Sequence, residues 1–396
     1  MGNVFFVFLR LGLTAFGGPV AHIGFFRDEF VARRKWLSDT AYADLVALCQ
    51  FLPGPASSQV GLAIGLMRAG PGGALAAWLG FTLPAALLMT AAALALVQFS
   101  AALPPGLLDG IKAVVVAVVA HALLGMARSL TPDVLRAALA ASAVAVVILV
   151  GGVSGQLLAI AGGAVAGLLV LSNAATTQDN TSDFAQPLSR WTGAVLIGIS
   201  LVLLVLLPVL AAQSPSLPLQ IADGFYRSGA LVFGGGHVVL PLLQAETVAP
   251  GLVSATDFTA GYGFAQAVPG PLFSFSAFLG ATASIDQGTV PALSMAALAL
   301  VMIFLPGALL VAGTLPFWAH LRVNATARAA LTGINAAVVG ILAAALYDPV
   351  ATTAINDASD IAIAVAAFGA LTWLRTPAWA VVPLGALAGV AWALTT

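Results

Sequence analysis

Long apolar runs with few or no charged side chains constrain this chain more than any other feature of its sequence. A helix of about 20 residues is long enough to cross the ~30 Å hydrocarbon layer of a bilayer. Only 7% of the residues are charged, whereas soluble domains carry about 25%. The sequence therefore predicts an all-α polytopic membrane protein embedded in a lipid bilayer. Nine full spans are expected, at 74–99, 107–127, 134–151, 155–172, 191–211, 289–313, 326–346, 358–374 and 378–395.

Two further apolar regions, 4–32 and 39–68, are each interrupted near the middle. The first contains Gly-Gly-Pro at 17–19 and the second contains Pro-Gly-Pro at 53–55. The pieces on either side have about 12 to 14 residues and reach only ~20 Å as helices, which is too short to cross the membrane alone. Irregular backbone at membrane depth is tolerated where it is buried in protein or lines a wet cavity. We therefore predict re-entrant helical hairpins.

The first part of the chain is repeated in the second part. The segment from Phe8 reads FLRLGLTAFGG and the segment from Phe225 reads FYRSGALVFGG. Four ordered pairs of segments match, namely 8–18 with 225–235, 50–55 with 266–271, 83–84 with 305–306, and 110–113 with 333–336. The sequence predicts a first repeat at 1–172, a second repeat at 219–396, and a linker at 173–218 that contains the extra span 191–211.

Counting the spans predicts how the repeats are oriented. Each repeat has two re-entrant hairpins, broken at GG(P) and PGP, plus about four transmembrane helices, so it starts and ends on the same side. The extra span then carries the chain across, which gives two inverted-topology repeats. Basic residues accumulate in cytoplasmic loops, which predicts a cytoplasmic N-terminus and an outside C-terminus. The basic residues that this arrangement places on the N-terminal side are Arg27, Arg33, Arg34, Lys35, Arg68, Arg128, Arg136, Arg190, Arg322, Arg328 and Arg375.

Four breaks, at 17–19, 53–55, 234–236 and 269–271, are each followed by a half-helix. Together they predict a site for an oxygen-rich anion. Inverted repeats with broken helices place substrate sites near the midplane of many secondary transporters. A helix N-terminus offers unpaired N–H groups and about half a positive charge. Serine hydroxyls and one arginine per repeat add donors and charge, although a long arginine side chain also snorkels to an interface. The predicted binding residues are Arg10, Gly17, Gly18, Pro53, Gly54, Pro55, Ser57, Ser58, Arg227, Gly234, Gly235, Pro269, Gly270, Pro271 and Ser274.

Five more titratable residues near the breaks are candidates for coupling to protons. Glu29 and Glu246 match each other in the repeat, whereas His22 and His237 do not, and Lys112 lies a few residues into a span. Each has an alternative interpretation. The glutamates also fit the wet ends of the hairpins, the histidines fit satisfied polar positions in the core, and the lysine fits an interfacial position.

Several function classes are excluded by the sequence. The 14 Lys+Arg and 15 Asp+Glu leave no basic excess for nucleic acid. The single cysteine, Cys49, excludes internal disulfides and Cys-ligated zinc. No GxxxxGK[ST], HExxH or GxSxG motif is present, so we expect neither an enzyme nor a bound cofactor or metal. Gly163 and Gly167 form a GxxxG that favours tight helix packing, and a homodimer stays open.

The motifs at the breaks resemble those of one family. Phe-Gly-Gly-Pro at 16–19, the segment from Gln50 to Pro55 with the following Ser58, and the second Pro-Gly-Pro at 269–271 resemble the long-chain members of the chromate ion transporter family. The resemblance covers nearly the whole chain and implies export of chromate across the bacterial cytoplasmic membrane, driven by membrane potential or proton motive force. Sulfate is the look-alike anion, so a sulfate permease and a passive anion channel stay open. The second repeat departs from the motif, with Gly236-His237 in place of Pro-Val.

Overall fold

The computed structural model describes residues 1–16, 18–98, 104–171, 188–214, 216–233, 236–321 and 324–395. Within these ranges every regular element is a helix and no strand occurs, as the sequence predicts. Six of the helices are long and apolar enough to cross a membrane. Three further predicted spans correspond to shorter apolar helices of 15 to 17 residues.

The first part of the chain forms seven helices. They are α1 (Gly2–Thr14), α2 (Gly18–Arg27), α3 (Asp39–Phe51), α4 (Ala56–Gln98), α5 (Leu107–Leu130), α6 (Val134–Val150) and α7 (Gly152–Val170). A wider turn, Asp28–Arg33, extends α2. Helix α4 is broken at Ala69 and Gly70, where the backbone leaves helical φ and ψ values. It therefore contains a half-helix that follows the Pro-Gly-Pro turn and a long segment that matches the span predicted at 74–99.

The second part repeats this order after one intervening helix. The helices are α8 (Arg190–Gln213), α9 (Leu217–Ala230), α10 (Val239–Thr247), α11 (Ala255–Ala267), α12 (Phe275–Thr282), α13 (Thr289–Thr314), α14 (Trp318–Leu321), α15 (Ala325–Ala345), α16 (Thr352–Ala354), α17 (Ala358–Thr372) and α18 (Ala378–Ala393). Matching helices begin with matching caps, because Ser38 and Ser254 each accept a hydrogen bond from the first turn, of α3 and α11 respectively. Such caps satisfy N–H groups that have no partner within the helix.

The two halves exchange their last helices. The α6–α7 hairpin packs against α15, and the α17–α18 hairpin packs against α5. Glycines permit the close approach, because Gly333 lies against Gly163 and Gly167, and Gly110 lies against Gly385 and Gly389. A Cβ atom at any of these positions would overlap the facing helix. The GxxxG predicted for tight helix packing therefore packs against the other half of the chain.

Candidate functional site

The two Pro-Gly-Pro turns hold the halves together through a reciprocal pair of hydrogen bonds. The Gly54 N–H donates to the carbonyl oxygen of Val232 at 2.7 Å, and the Gly270 N–H donates to that of Ala15 at 2.9 Å. Val232 and Ala15 are matching residues of the repeat, each just past the end of its helix, α9 or α1. Each turn is therefore fixed by the helix break of the other half.

Glycine is required at the centre of each turn for two reasons. Gly54 has φ +123° and Gly270 has φ +101°, values that only glycine adopts readily. A Cβ would also lie 3.1 Å from the Cα of Gly307 in the first turn and 3.1 Å from the Cβ of Ala85 in the second. The sequence predicts both glycines as site residues, and the structure places them where the halves meet.

His22 links the two turns. Its side chain is fully buried, with Nε2 3.2 Å from the Ala15 oxygen and Nδ1 3.4 Å from the hydroxyl of Ser57. The Ala15 oxygen also accepts from Gly270, and Ser57 follows the first turn by two residues. A continuous chain of polar contacts therefore connects the second turn to the first.

Ser58 and Ser274 are matching residues that follow the two turns. Their relative exposures are 4% and 1%, and neither hydroxyl has a hydrogen-bond partner among the residues that the structure describes. Burying a hydroxyl without a partner is unfavourable. Two such hydroxyls at equivalent positions are therefore available to a ligand.

A helix or helical turn begins at each of the predicted breaks. Helix α4 starts directly after Pro55, and α2 starts at Gly18, which has φ +77°. In the second half, short 3₁₀ turns at Gly236–Val238 and Leu272–Ser274 precede α10 and α12. The predicted site residues Gly17, Gly234 and Gly235 lie outside the described residues.

The two predicted arginines have different surroundings. Arg227 Nη2 lies 2.6 Å from Asp223 Oδ2, and Arg227 Nε lies 3.0 Å from Glu246 Oε1. Arg10 is exposed and has no ion pair within the described ranges. The guanidinium of Arg227 is therefore paired with two carboxylates, whereas Arg10 interacts with Glu29 only at longer range. Asp223 is not among the residues predicted from the sequence, although its spacing of four residues from Arg227 is that of a helical ion pair.

Glu29 does not form the contact that Glu246 forms. It lies 2.8 Å from Arg33 and 2.6 Å from Arg34, close to the end of its hairpin. Glu29 is therefore held by two arginines of its own hairpin, and Arg27 pairs with Asp39 instead. The two glutamates match in sequence but bind arginines from different positions of their repeats.

The remaining candidates also have polar partners. Lys112 is 7% exposed and lies 2.7 Å from Asp109. His237 Nδ1 lies 2.6 Å from the hydroxyl of Tyr262. Both residues therefore have polar partners within the protein. His237 lies in the 3₁₀ turn Gly236–Val238, which precedes α10.

A cavity of about 570 Å³ lies between α3 and α15. Its wall is about equally polar and apolar, and the polar side chains include Asp39, Asp44, Gln50, Arg328, Thr332 and Asn335. Helix α3 runs from Asp39 at one end of the cavity to Phe51, just before the first Pro-Gly-Pro turn. The cavity therefore connects the N-terminal end of α3 with the neighbourhood of this turn.

The helices define a multi-pass membrane protein, because six of those in the described part of the chain are long and apolar enough to span a bilayer. The chain belongs to the chromate transporter family, whose model, described as "Chromate transporter", matches residues 2–168 and 219–390. Membership of this family supports transport of chromate, and the curated relatives are named as transport proteins or transporters.

Three relatives are similar over most of their length. The chain is 30% identical over 368 residues to the chromate transport protein of Pseudomonas aeruginosa, covering 89% of this chain and 82% of the relative. It is 27% identical over 358 residues to a probable chromate transport protein of Synechococcus elongatus, covering 86% and 82%. It is 24% identical over 348 residues to an uncharacterized transporter of Methanocaldococcus jannaschii, covering 86% and 82%. No solved structure is significantly similar to the chain.

Proposed function

We propose that this protein is a secondary transporter that exports chromate across the bacterial cytoplasmic membrane. The observation that carries the proposal is the pair of Pro-Gly-Pro turns, each hydrogen-bonded to the other half and each followed by a buried serine hydroxyl without a partner in the described structure. Helix N-termini and free hydroxyls suit a tetrahedral oxyanion, because both donate hydrogen bonds to negatively charged oxygen.

The proposed architecture has two inverted repeats, at 1–172 and 219–396, with re-entrant hairpins at 4–32 and 39–68 and at the matching places of the second repeat. The repeated helix order and the reciprocal hydrogen bonds of Gly54 and Gly270 support it. Inverted repeats place equivalent half-helices on opposite sides of one central site. We locate the anion at this centre, next to the two turns.

The direction of transport follows from electrostatics. A dianion that leaves a cell with a negative interior gains about 2.3 kcal/mol per charge per 100 mV. Export therefore needs no coupled ion, whereas uptake would need two cations merely to become electroneutral. Proton coupling through Glu246 is an additional proposal, because its carboxylate faces Arg227 and lies near Asp223. Protonation would leave Arg227 with a single negative partner.

We expect chromate flux from proteoliposomes to increase with a membrane potential negative on the inside, at constant pH. Membrane potential and pH gradient are imposed separately, and sulfate, molybdate and phosphate are compared with chromate. Glu246→Gln and Glu29→Gln are expected to change the response to the pH gradient and to leave anion binding largely intact. Flux that ignores the potential would contradict electrogenic export, and equal flux of all four anions would contradict a chromate-selective carrier.

Replacement of Ser58 and Ser274 by alanine is expected to weaken chromate binding while leaving the protein folded. Each hydroxyl is proposed to donate to a charged oxygen, a bond worth about 1.5–3 kcal/mol, or about tenfold to a hundredfold in affinity. Stability should change little, because neither hydroxyl bonds to described protein atoms. Ser129→Ala is the matched control, since that hydroxyl bonds to its own helix backbone. If both Ser58→Ala and Ser274→Ala bound chromate with the affinity of the unsubstituted protein, the proposed position of the anion next to the turns would be wrong.

The proposed orientation predicts which loops face outward. In a Cys49→Ala background, single cysteines that replace Ser154 and Asp357 should react with an impermeant thiol reagent applied to intact cells. Cysteines that replace Ser38 and Asn324 should react after the membrane is opened. The reverse pattern would place the N-terminus outside, and reaction of all four in intact cells would overturn the count of spans.

A further inference from the structure

Matching faces of α3 and α11 differ in exposure. Ala43, Ala47 and Gln50 of α3 are exposed and line the cavity. Their matches in the repeat, which lie on α11, are Thr259, Gly263 and Gln266. Thr259 and Gly263 are buried and Gln266 is partly buried. The same helix face is therefore open in one half and covered in the other.

The cover on α11 is provided by α5 and its partners. A Cβ at Gly263 would overlap Ile111 and would lie 3.3 Å from Val115, so the two helices are in direct contact. Phe264 packs in the same apolar cluster as Ile111. The Thr259 hydroxyl lies 3.2 Å from that of Thr353 in α16. In the other half, the cavity separates α3 from α15, the match of α5.

The same pairs of matching helices are in contact within each exchanged group. Helix α5 packs against α17 and α18, and α15 packs against α6 and α7. These groups are therefore intact on both the open side and the covered side. The halves differ in how α3 and α11 sit against these groups, and also in α10, which packs against α15 and α7.

We infer that the cavity between α3 and α15 is one of two alternately open vestibules, and that the second opens when α11 separates from α5. This inference rests on the proposed transport function. Since the two halves have matching helices, each half can adopt the arrangement of the other. The second vestibule would place Lys112 where Asn335 lines the first, because these residues match in the repeat. Asp109, which is ion-paired with Lys112 at 2.7 Å, would likewise take the place of Thr332, so an anion that leaves the central turns would pass this ion pair.

A disulfide across the covered interface tests the inference. The Cβ position of Gly263 lies 3.7 Å from Ile111 Cβ, within the range of a disulfide. In a Cys49→Ala background, oxidation of the Ile111→Cys/Gly263→Cys pair should reduce chromate flux by about tenfold or more, and a reductant should restore it. Val114→Cys/Gly385→Cys is the matched control, with Cβ positions 3.5 Å apart inside the group that stays intact. Its flux should not fall on oxidation.

A second measurement does not depend on transport. A cysteine in place of Thr259 should react slowly with a small thiol reagent in the reduced protein, as α11 opens and closes. Disulfide formation between positions 111 and 263 should protect it, while formation between positions 114 and 385 should not. Retained flux after complete Ile111→Cys/Gly263→Cys cross-linking, or equal labelling of Thr259→Cys with and without it, would overturn the inference. Failure of the unsubstituted protein to move chromate would contradict the proposed function and leave the labelling result to decide on the vestibules.

Discussion

Arg227→Gln is expected to lower the free energy of unfolding by about 3–5 kcal/mol, because removing one partner of a buried ionic group leaves the others uncompensated. Asp223 is 7% exposed, and both Asp223 and Glu246 lie within 3.0 Å of the guanidinium. The measurement is the melting temperature in detergent together with the fraction that elutes as a single species in size exclusion.

The triple variant Asp223→Asn/Arg227→Gln/Glu246→Gln separates charge balance from packing. It also neutralises the two carboxylates that lose their cationic partner in Arg227→Gln, so we expect most of the stability lost in Arg227→Gln to return. Arg10→Gln is the matched control, because Arg10 is the equivalent residue and is exposed without an ion pair in the described part of the chain. We expect its melting temperature to stay close to that of the unsubstituted protein. An Arg227→Gln variant as stable as Arg10→Gln would show that the cluster does not depend on its cation.

Gly270→Ala is expected to abolish most transport. The residue has φ +101°, where a side chain costs about 1–3 kcal/mol. Its N–H also binds Ala15 of the other half, so a strained turn loses both its shape and its attachment. We expect chromate flux to fall by about tenfold or more, since the N–H donors that follow the turn would be displaced from the proposed anion site. Gly54→Ala should behave in the same way, because Gly54 is the matching residue with φ +123°.

Gly288→Ala is the control for the strain itself. Gly288 has φ +108°, similar to that of Gly270, but a Cβ there would meet nothing within 4 Å. It precedes α13, away from the turns. We expect Gly288→Ala to lose stability by a comparable amount and to keep its flux. Equal loss of flux in Gly270→Ala and Gly288→Ala would mean that strain alone, and not the position of the turn, controls transport.

Local chemistry explains why much of the fold was predictable. Each predicted span corresponds to a described helix, six of them long enough to cross a membrane and three shorter, because long apolar runs between proline and glycine breakers leave few alternatives in a bilayer. The turns at 53–55 and 269–271 were also predictable, since proline and glycine restrict backbone conformation directly. The buried serines Ser58 and Ser274 follow from these turns by position alone.

Contacts between distant segments were not predictable. Gly163 and Gly167 indicated close packing but not the helix that they pack against, which is α15 of the other half. Arg10 and Arg227 occupy matching positions, yet Phe6 stands where the second repeat has Asp223. Only Arg227 therefore forms an ion pair with an aspartate of its own helix. The open and covered faces of α3 and α11 arise from two arrangements of matching helices, which a single sequence pattern cannot distinguish.

The exchange of the terminal hairpins determines when each half can complete its packing during synthesis. Helix α5 is synthesised long before α17 and α18, the hairpin that covers it. Gly110 of the first half therefore lacks its packing partners until the ribosome has produced Gly385 and Gly389. A premature stop before α17 would accordingly damage the half that had already been inserted, while α15 would keep the α6–α7 hairpin made before it.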